Sequence, residues 1–305
     1  MGHADTYLMI VTASIPFIAL YNGGAAIFRT MGNSEISMRV SIVMNVINIS
    51  GNAILIYGFH RGTEGVAIPT LVSRMTAAIL IMILLADRRR AIYVRLSRRY
   101  RPDWDMIRKI LGIGVPNGLE NSMFQLRKII VLSLVSTFGT YAIAANAVSN
   151  VIASFQVLPG MAIALAVTTV IARCVGAGDY GQVKYYTKKL LCITYACMVV
   201  TNVIIVLALP LILKAYNLSS QTAEVTADIV IFYAVCCVLI WPLAFTIPAT
   251  FRASGDVKFT MYVSVLSMWI FRIGVSYLMV KVFGMDIYSV WVAMGIDWVC
   301  RLLFY

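Results

Sequence analysis

The sequence predicts an all-α polytopic membrane protein built as two parallel six-helix lobes, the first lobe incomplete, with about nine of twelve helices present. Three observations predict it. The 305 residues are 61% hydrophobic and only 12% charged, with a mean hydropathy of +0.86, where a soluble domain carries about 25% charge. The apolar residues gather into nine runs separated by loops that are alternately basic and near neutral. A loop motif also recurs at long range: FRTMGNSEISM at 28–38 returns as FRASGDVKFTM at 251–261.

The nine runs fall at roughly 7–27, 38–58, 65–86, 112–136, 143–171, 189–213, 226–249, 259–283 and 287–305. Most are long enough for about 30 Å of hydrocarbon with some tilt. Within lipid, backbone polar groups must be satisfied inside the protein. Runs this long and uniformly apolar therefore read as helices rather than barrel strands. One set of loops carries Arg29 and Arg39, the 87–109 block, Arg173 with Lys184, Lys188 and Lys189, and Arg252 with Lys258. The alternate set is nearly neutral, and the positive-inside rule places the basic set in the cytoplasm of a multi-pass plasma-membrane protein.

The repeat sets the architecture. Its two copies are 223 residues apart, from Phe28 to Phe251, with six runs between them. An even number gives both copies the same orientation, the parallel type of transporter repeat. A six-span period predicts twelve spans, so three are expected before residue 1, and the chain reads as an N-terminally truncated transporter. Residues 1–86 are then the last three helices of the first lobe, 87–109 a cytoplasmic linker, and 110–305 the second lobe. The linker holds nine Arg or Lys and three Asp, net +6, half of the chain's +12. Arg88 to Arg101 is expected to form an amphipathic surface helix on anionic lipid, ended by Pro102.

Other classes are excluded. Basic residues confined to short loops between apolar runs do not form a nucleic-acid face on a soluble fold, so no nucleic-acid partner is expected. The six cysteines, at 174, 192, 197, 236, 237 and 300, contain no CxxC pair and read as core packing. MGHADTY lacks the basic opening of a signal peptide. MGHADT matches the myristoylation pattern, which adds little to a chain that spans many times. GAGD at 176–179 has neither a following Lys-Ser/Thr nor a preceding strand, so coupling through ATP, and enzymatic activity generally, are not expected.

Six stretches together resemble the multidrug and toxic compound extrusion (MATE) family. They are IFRTMGNSEISM, VMNVINISGNAILIYG (43–58), GIGVPNGLENSMFQ (112–125), SFQVLPGMAIALAVTTVIARCVGAGD (154–179), TFRASGDVKFTM and SVWVAMGIDWVCRLLF (289–304), in that family's order. The resemblance implies two six-helix lobes around a central cleft. It implies an antiporter exporting diverse, often cationic, organic compounds in exchange for Na⁺ or H⁺, without a cofactor and as a monomer among membrane lipids. More distant relatives flip lipid-linked saccharides, which supplies an alternative. A non-transporting scaffold is disfavoured by the tandem repeat and by polar groups at membrane depth.

The candidate residues are the polar groups inside spans. Asn48 and Asn52 lie one turn apart, with Asn45 just before, and amide oxygens at this spacing can meet a hard cation such as Na⁺. They resemble the family's first-lobe cation pair, whose second position is Asp in some members and is Asn52 here. The bland reading is that both hydrogen-bond to neighbouring helices. Glu120 is the best visible carboxylate for a proton or substrate cation. The family's acid on this helix lies about one turn deeper, where this chain has Phe124, and the bland reading pairs Glu120 with Arg127. Arg127 and Lys128 lie too deep to reach the interface easily, so at least one is expected to face the cleft or a carboxylate. Arg272 and Asp297 are expected to pair, with a second-lobe cation site around Asp297 as the other reading. The family's acid in the tenth helix is absent; Asp228, near that helix's outer end, is the nearest. Gln156, Trp241 and Trp269 are candidate cleft residues, with Tyr277 beside them. Pro159, Pro242 and Pro248 are candidate hinges, with Gly160 next to the first. Arg29/Gly32 and Arg252/Gly255 read as structural turns whose arginines contact lipid phosphate or cap helix ends.

Overall fold

Apolar runs fold as helices because a helix closes its own backbone hydrogen bonds without water. The computed structural model describes residues 2–60, 62–89, 92–94 and 103–305, the side chains of 2–4 excepted. Twelve α-helices and three π-helical turns, and no strands, make up the elements among the described residues. They fall into two units, Met1–Arg101 and Pro102–Tyr305.

The first unit holds α1 (Gly2–Ala13), α2 (Ile15–Thr30), α3 (Ser34–Ala53) and α4 (Glu64–Leu85). Ser14 separates α1 from α2, and Pro16 occupies the first turn of α2, where a missing N–H costs nothing. α3 runs into a π turn at Ile54–Gly58. α4 packs on each of the other three helices. Its Ala77, Ile81 and Leu85 meet Tyr21, Ala25 and Phe28 of α2 and Val40 of α3 in one buried cluster.

The second unit holds α5 (Trp104–Ser136), α6 (Thr140–Gly176), α7 (Tyr180–Tyr216), α8 (Ser220–Leu239), α9 (Ile247–Ala253), α10 (Val257–Ser267), α11 (Val275–Phe283) and α12 (Tyr288–Phe304). π turns at Pro242–Thr246 and Met268–Gly274 lie before α9 and after α10. Its core is aromatic. Tyr233 meets the edges of Trp291 and Trp298 at 5.5 Å, and Phe245 stacks on Trp241 at 5.0 Å while meeting Trp298 at 5.5 Å.

The helices depart from the apolar runs in three ways. α5, α6 and α7 extend past their runs; at ~1.5 Å per residue the 37 residues of α6 make about 55 Å, well beyond the hydrocarbon thickness. Residues 226–249 and 259–283 each contain a π turn, and Val257–Phe283 remains one helical stretch of membrane-crossing length through its turn. α5 starts at Trp104, inside the stretch assigned to the linker, because the Asp103 carboxylate accepts from the N–H groups of Asp105 and Met106 and caps the helix there. The surface helix expected over Arg88–Arg101 falls largely outside the described residues, as does Pro102. Of the described ones, Arg88 and Arg89 form a turn and residues 92–94 are non-helical.

Seven helical stretches are long and apolar enough to cross a membrane. α5 is not among them because Asn117, Glu120, Asn121, Arg127 and Lys128 interrupt it, and α12 has only 17 residues. The exposed surface is itself apolar. Val199, Val200, Val203, Ile204, Leu207 and Leu211 form an exposed stripe on α7. In water each such side chain would forgo roughly 1.5–3 kcal/mol of burial; against lipid it forgoes nothing comparable.

The repeated loop motif folds as a repeated turn. Asn33 N–H reaches Phe28 C=O at 2.9 Å, and Asp256 N–H reaches Phe251 C=O at 3.0 Å, with Gly32 and Gly255 at φ +83° and +97°. This is the helix-ending geometry in which glycine tolerates the left-handed conformation. GAGD forms the same turn: Asp179 N–H reaches Cys174 C=O at 3.1 Å, with Gly178 at φ +72°. Asp179 and Asp256 then cap the helices that follow.

One contact in the second unit admits no side chain. A Cβ on Gly160 of α6 would lie 2.1 Å from the Trp241 ring, whereas one on Gly118 of α5 meets nothing within 4 Å. Alanine favours a helix over glycine by about 1 kcal/mol, but overpacking a filled site costs about 1–3 kcal/mol. Gly160→Ala is therefore expected to lower the melting temperature in detergent, and Gly118→Ala to hold or raise it. Equal melting of the two variants would show that the Trp241 seat does not constrain α6.

Candidate functional site

Helices α5, α6, α8, α9, α10 and α12 and the two π turns line an open cavity of about 570 Å³ in the second unit. That volume is in the range of sites for drug-sized molecules. Trp241, Phe245, Trp291 and Trp298 form an aromatic part of its wall. Arg127, Lys128, Arg252, Arg272 and Arg301 also line it, and Glu120 is the one carboxylate among the lining residues.

Glu120 is 5% exposed. Its partner is Arg252, whose Nη1 lies 3.4 Å from Oε1 and 3.5 Å from Oε2. This corrects two expectations. Glu120 does not pair with Arg127, and Arg252 does not serve only as a turn residue toward lipid. α9 ends at Ala253, so Arg252 sits in its last turn, from which the side chain reaches back to α5.

The expected Arg272–Asp297 pair is also corrected. Asp297, fully buried, takes Arg301 Nε at 3.1 Å and the Ser267 hydroxyl at 2.5 Å. Arg301 lies one turn further along α12, so the pair is made within one helix face. Arg301 also donates to Ser264 C=O at 3.1 Å, and its guanidinium lies over the rings of Phe124 (5.2 Å) and Phe245 (5.6 Å). Arg272 is carried in the π turn instead. Its Nε and that of Arg127 are buried with no hydrogen-bond partner among the described residues. Both remain within electrostatic reach of Asp297 and Arg301. Arg301 went unread in the sequence, although DWVCR carries the i, i+4 acid–base spacing that marks it.

The remaining candidates divide. Trp241 lines the cavity, but Gln156 does not: it is fully buried behind the wall and donates to Val230 C=O at 3.3 Å. Trp269 is 39% exposed and, like Tyr277, lies outside the cavity lining. Pro159 leaves α6 unbroken from Thr140 to Gly176 and borders an apolar surface groove, so the helix irregularity expected there is not found. Pro242 does open a π turn, and Pro248 follows it in the first turn of α9 and lines the cavity. All six cysteines are free.

In the first unit, Asn52 donates to Asn48 Oδ1 at 3.2 Å, Asn48 to Thr70 Oγ1 at 3.1 Å, and Thr70 to Val66 C=O at 2.8 Å. This chain of bonds ties α3 to α4, and Asn52 Oδ1 is left buried without a donor. Asn45 stands apart, exposed and bonded to Ser41 C=O. Arg74, also unread in the sequence though it is a charge inside a span, donates to the Ser14 hydroxyl at 2.6 Å, where α1 and α2 separate. Among the described residues no cluster of three His, Cys, Asp or Glu could hold a metal ion.

Apolar-faced helices around a charged cavity define a multi-pass membrane protein of the transporter class. The MatE family model matches residues 116–278, more than half of the chain, and the chain belongs to that family. It is 27% identical over 292 residues to the probable multidrug resistance protein YoeA of Bacillus subtilis (strain 168), covering 94% of this chain and 63% of that protein. Its fold matches the outward-facing conformation of a multidrug resistance MATE family transporter of the MOP superfamily, with a TM-score of 0.89, 20% identity, and coverage of 97% and 66%. It also matches a MOP superfamily transporter from Pyrococcus furiosus Vc1 (DSM3638), described as having a binding pocket of reverse polarity that suggests a different function. That match has a TM-score of 0.87, 20% identity, and coverage of 98% and 67%. The chain thus spans about two thirds of the length of these proteins.

The two ion pairs differ in burial, and so in what breaking them costs. Removing one partner of a buried pair costs about 3–5 kcal/mol, because the other charge is left uncompensated. Asp297→Asn strands the 2%-exposed Arg301 and should cost in that range. Glu120→Gln releases an Arg252 side chain that is 29% exposed and only 3.4 Å away at best, and should cost less. Melting in detergent checks the order; a larger loss for Glu120→Gln would reverse the assignment of Asp297–Arg301 as the principal structural pair.

Proposed function

We propose that this protein acts as a secondary antiporter that exports organic compounds across the plasma membrane in exchange for Na⁺ or H⁺, its basic loops, 87–109 included, facing the cytoplasm. It does so as a monomer and without a cofactor. The observation that carries the reading is a charged, aromatic-walled cavity of drug-molecule size inside a bundle whose exterior is apolar.

Coupling follows from Glu120. Its carboxylate is buried and held by Arg252. A proton on Glu120 releases Arg252 at the end of α9, next to the π turn opened by Pro242, so protonation and rearrangement of the cavity wall are linked. In the first unit, Asn52 Oδ1 remains available to a cation, while Asn48 Oδ1 already accepts a hydrogen bond. Na⁺ there needs further oxygen ligands beyond the pair. The cationic cargo implied by the family resemblance is opposed by the cavity's own positive charge. Fold does not fix cargo, and the Pyrococcus furiosus transporter is itself described as having a pocket of reverse polarity.

Two transport measurements in proteoliposomes test the reading. With an imposed Na⁺ or H⁺ gradient, a panel of organic substrates of both charges should show outward, gradient-dependent flux; its absence across the panel would remove the antiporter. Glu120→Gln should flatten the pH dependence of that flux, whereas Asn48→Ala with Asn52→Ala should weaken its dependence on Na⁺. Wild-type coupling in a variant removes the corresponding residue from the coupling path.

A further inference from the structure

The cavity contains more positive charge than its own acids can neutralise. Of five lining cations, Arg252 is matched by Glu120 and Arg301 by Asp297. Arg127, Lys128 and Arg272 have no carboxylate within ion-pair distance among the described residues. The polar groups left over there are also chiefly donors. Arg127 Nε, Arg272 Nε, Trp291 Nε1 and Trp298 Nε1 are all buried without an acceptor, and all four residues line the cavity. A buried donor without an acceptor is costly, and guanidinium groups match carboxylate and phosphate oxygens in particular. A cation placed in the cavity would meet three charges of its own sign that no carboxylate pairs directly; Asp297, whose Oδ2 has no hydrogen-bond partner among the described residues, acts on Arg127 and Arg272 from outside the lining.

We infer that the second-unit cavity recognises an organic anion, a carboxylate or phosphate on an aromatic or apolar body, through Arg127, Lys128 and Arg272. The anionic head accepts hydrogen bonds from the two guanidinium groups and the ammonium. The apolar body lies against Trp241, Phe245 and Trp298, which already stack and pack edge-on. Glu120 and Asp297 keep Arg252 and Arg301 occupied, and so confine the free positive charge to these three side chains. The inference rests on the antiporter reading only where it names the cargo; binding itself requires no gradient.

The test is equilibrium binding to the purified protein in phosphatidylcholine nanodiscs, with empty nanodiscs as the blank. The probes are 2-naphthylacetate and 2-naphthylmethyl-trimethylammonium, which share a ring system and differ in charge. The anion should bind at least tenfold more tightly than the cation, and less tightly as salt is raised. Arg127→Gln and Arg272→Gln should each weaken the anion about tenfold while leaving the cation unchanged or improved. Arg127→Lys, which keeps the charge, should retain most of the affinity and guards against a folding artefact. Equal or tighter cation binding overturns the inference, as does unchanged anion binding in a folded Arg127→Gln/Arg272→Gln variant. Native mass spectrometry in phosphatidylglycerol nanodiscs identifies the source of the anion. A phospholipid held by the wild type and lost in Arg127→Gln assigns the site to a lipid phosphate, and naphthylacetate binding without retained lipid assigns it to soluble anions. Anion preference without gradient-driven flux leaves this inference standing and removes the antiporter; flux without anion preference does the reverse.

Discussion

A charge inside an apolar bundle has to be neutralised or held for use, and the second unit is arranged around that requirement. Removing an ion from water costs several kcal/mol even after relaxation, and a bilayer offers no water to return to. Asp297 meets the requirement through one oxygen, Oδ1, while Oδ2 has no hydrogen-bond partner among the described residues. The side chain is fully buried, bonded to Arg301 on its own helix and to Ser267 at the end of α10. Arg301 in turn reaches Ser264 C=O on the same helix α10. One carboxylate thereby ties α12 to α10, immediately before the π turn that carries Arg272. That turn is the kind of helix irregularity that recurs at functional sites. Here it carries Arg272, whose Nε has no hydrogen-bond partner among the described residues.

The same logic distinguishes the two ion pairs. Asp297 and Arg301 lie within one helix, so rearranging other helices does not break their pair. Glu120 and Arg252 join α5 to the last turn of α9, across elements distant in sequence and beside a π turn opened by Pro242. A contact of 3.4 Å between α5 and a short helix flanked by irregular backbone is the more easily broken of the two. The structural pair and the responsive pair are thus told apart by topology as well as by burial.

Much of the fold was legible in the sequence, because hydropathy and loop charge report how each segment meets lipid. The helical class and the glycine turns of the repeat follow from local rules of spacing and backbone conformation. GAGD shows where that reading was too narrow: excluded as a phosphate loop, it is the same helix-ending turn as the other two. The site was less legible. Arg127 and Arg272 stood out as charges within spans, but the partners of Glu120 and Asp297 depend on how helices rotate against one another, which no period encodes. The π turns shift that rotation locally, and no residue pattern announced the one at Met268–Gly274. Proline was an uneven guide: Pro242 marks a break, whereas Pro159 sits in an unbroken helix. Arg301 and Arg74 were available to be read, one from i, i+4 spacing and the other from charge within a span.

The repeat also bears on why the cavity has its polarity. The offset that relates Phe28 to Phe251 relates Arg74 to Asp297. At the positions this offset relates, the two units carry opposite charges, Arg74 half-buried and Asp297 fully buried, each held by a different device. Arg74 has the Ser14 hydroxyl at the break between α1 and α2, a neutral partner that leaves its charge in place. Asp297 has Arg301, and the position that the offset relates to Arg301 in the first unit is Ala78, a buried residue with no charge to offer. The acid in the second unit arrives with its own counter-ion one turn away, which it binds directly, and acts on Arg127 and Arg272 only at longer range. The positive character of the cavity is thus set by the Asp297–Arg301 spacing on α12 as much as by the arginines that face inward.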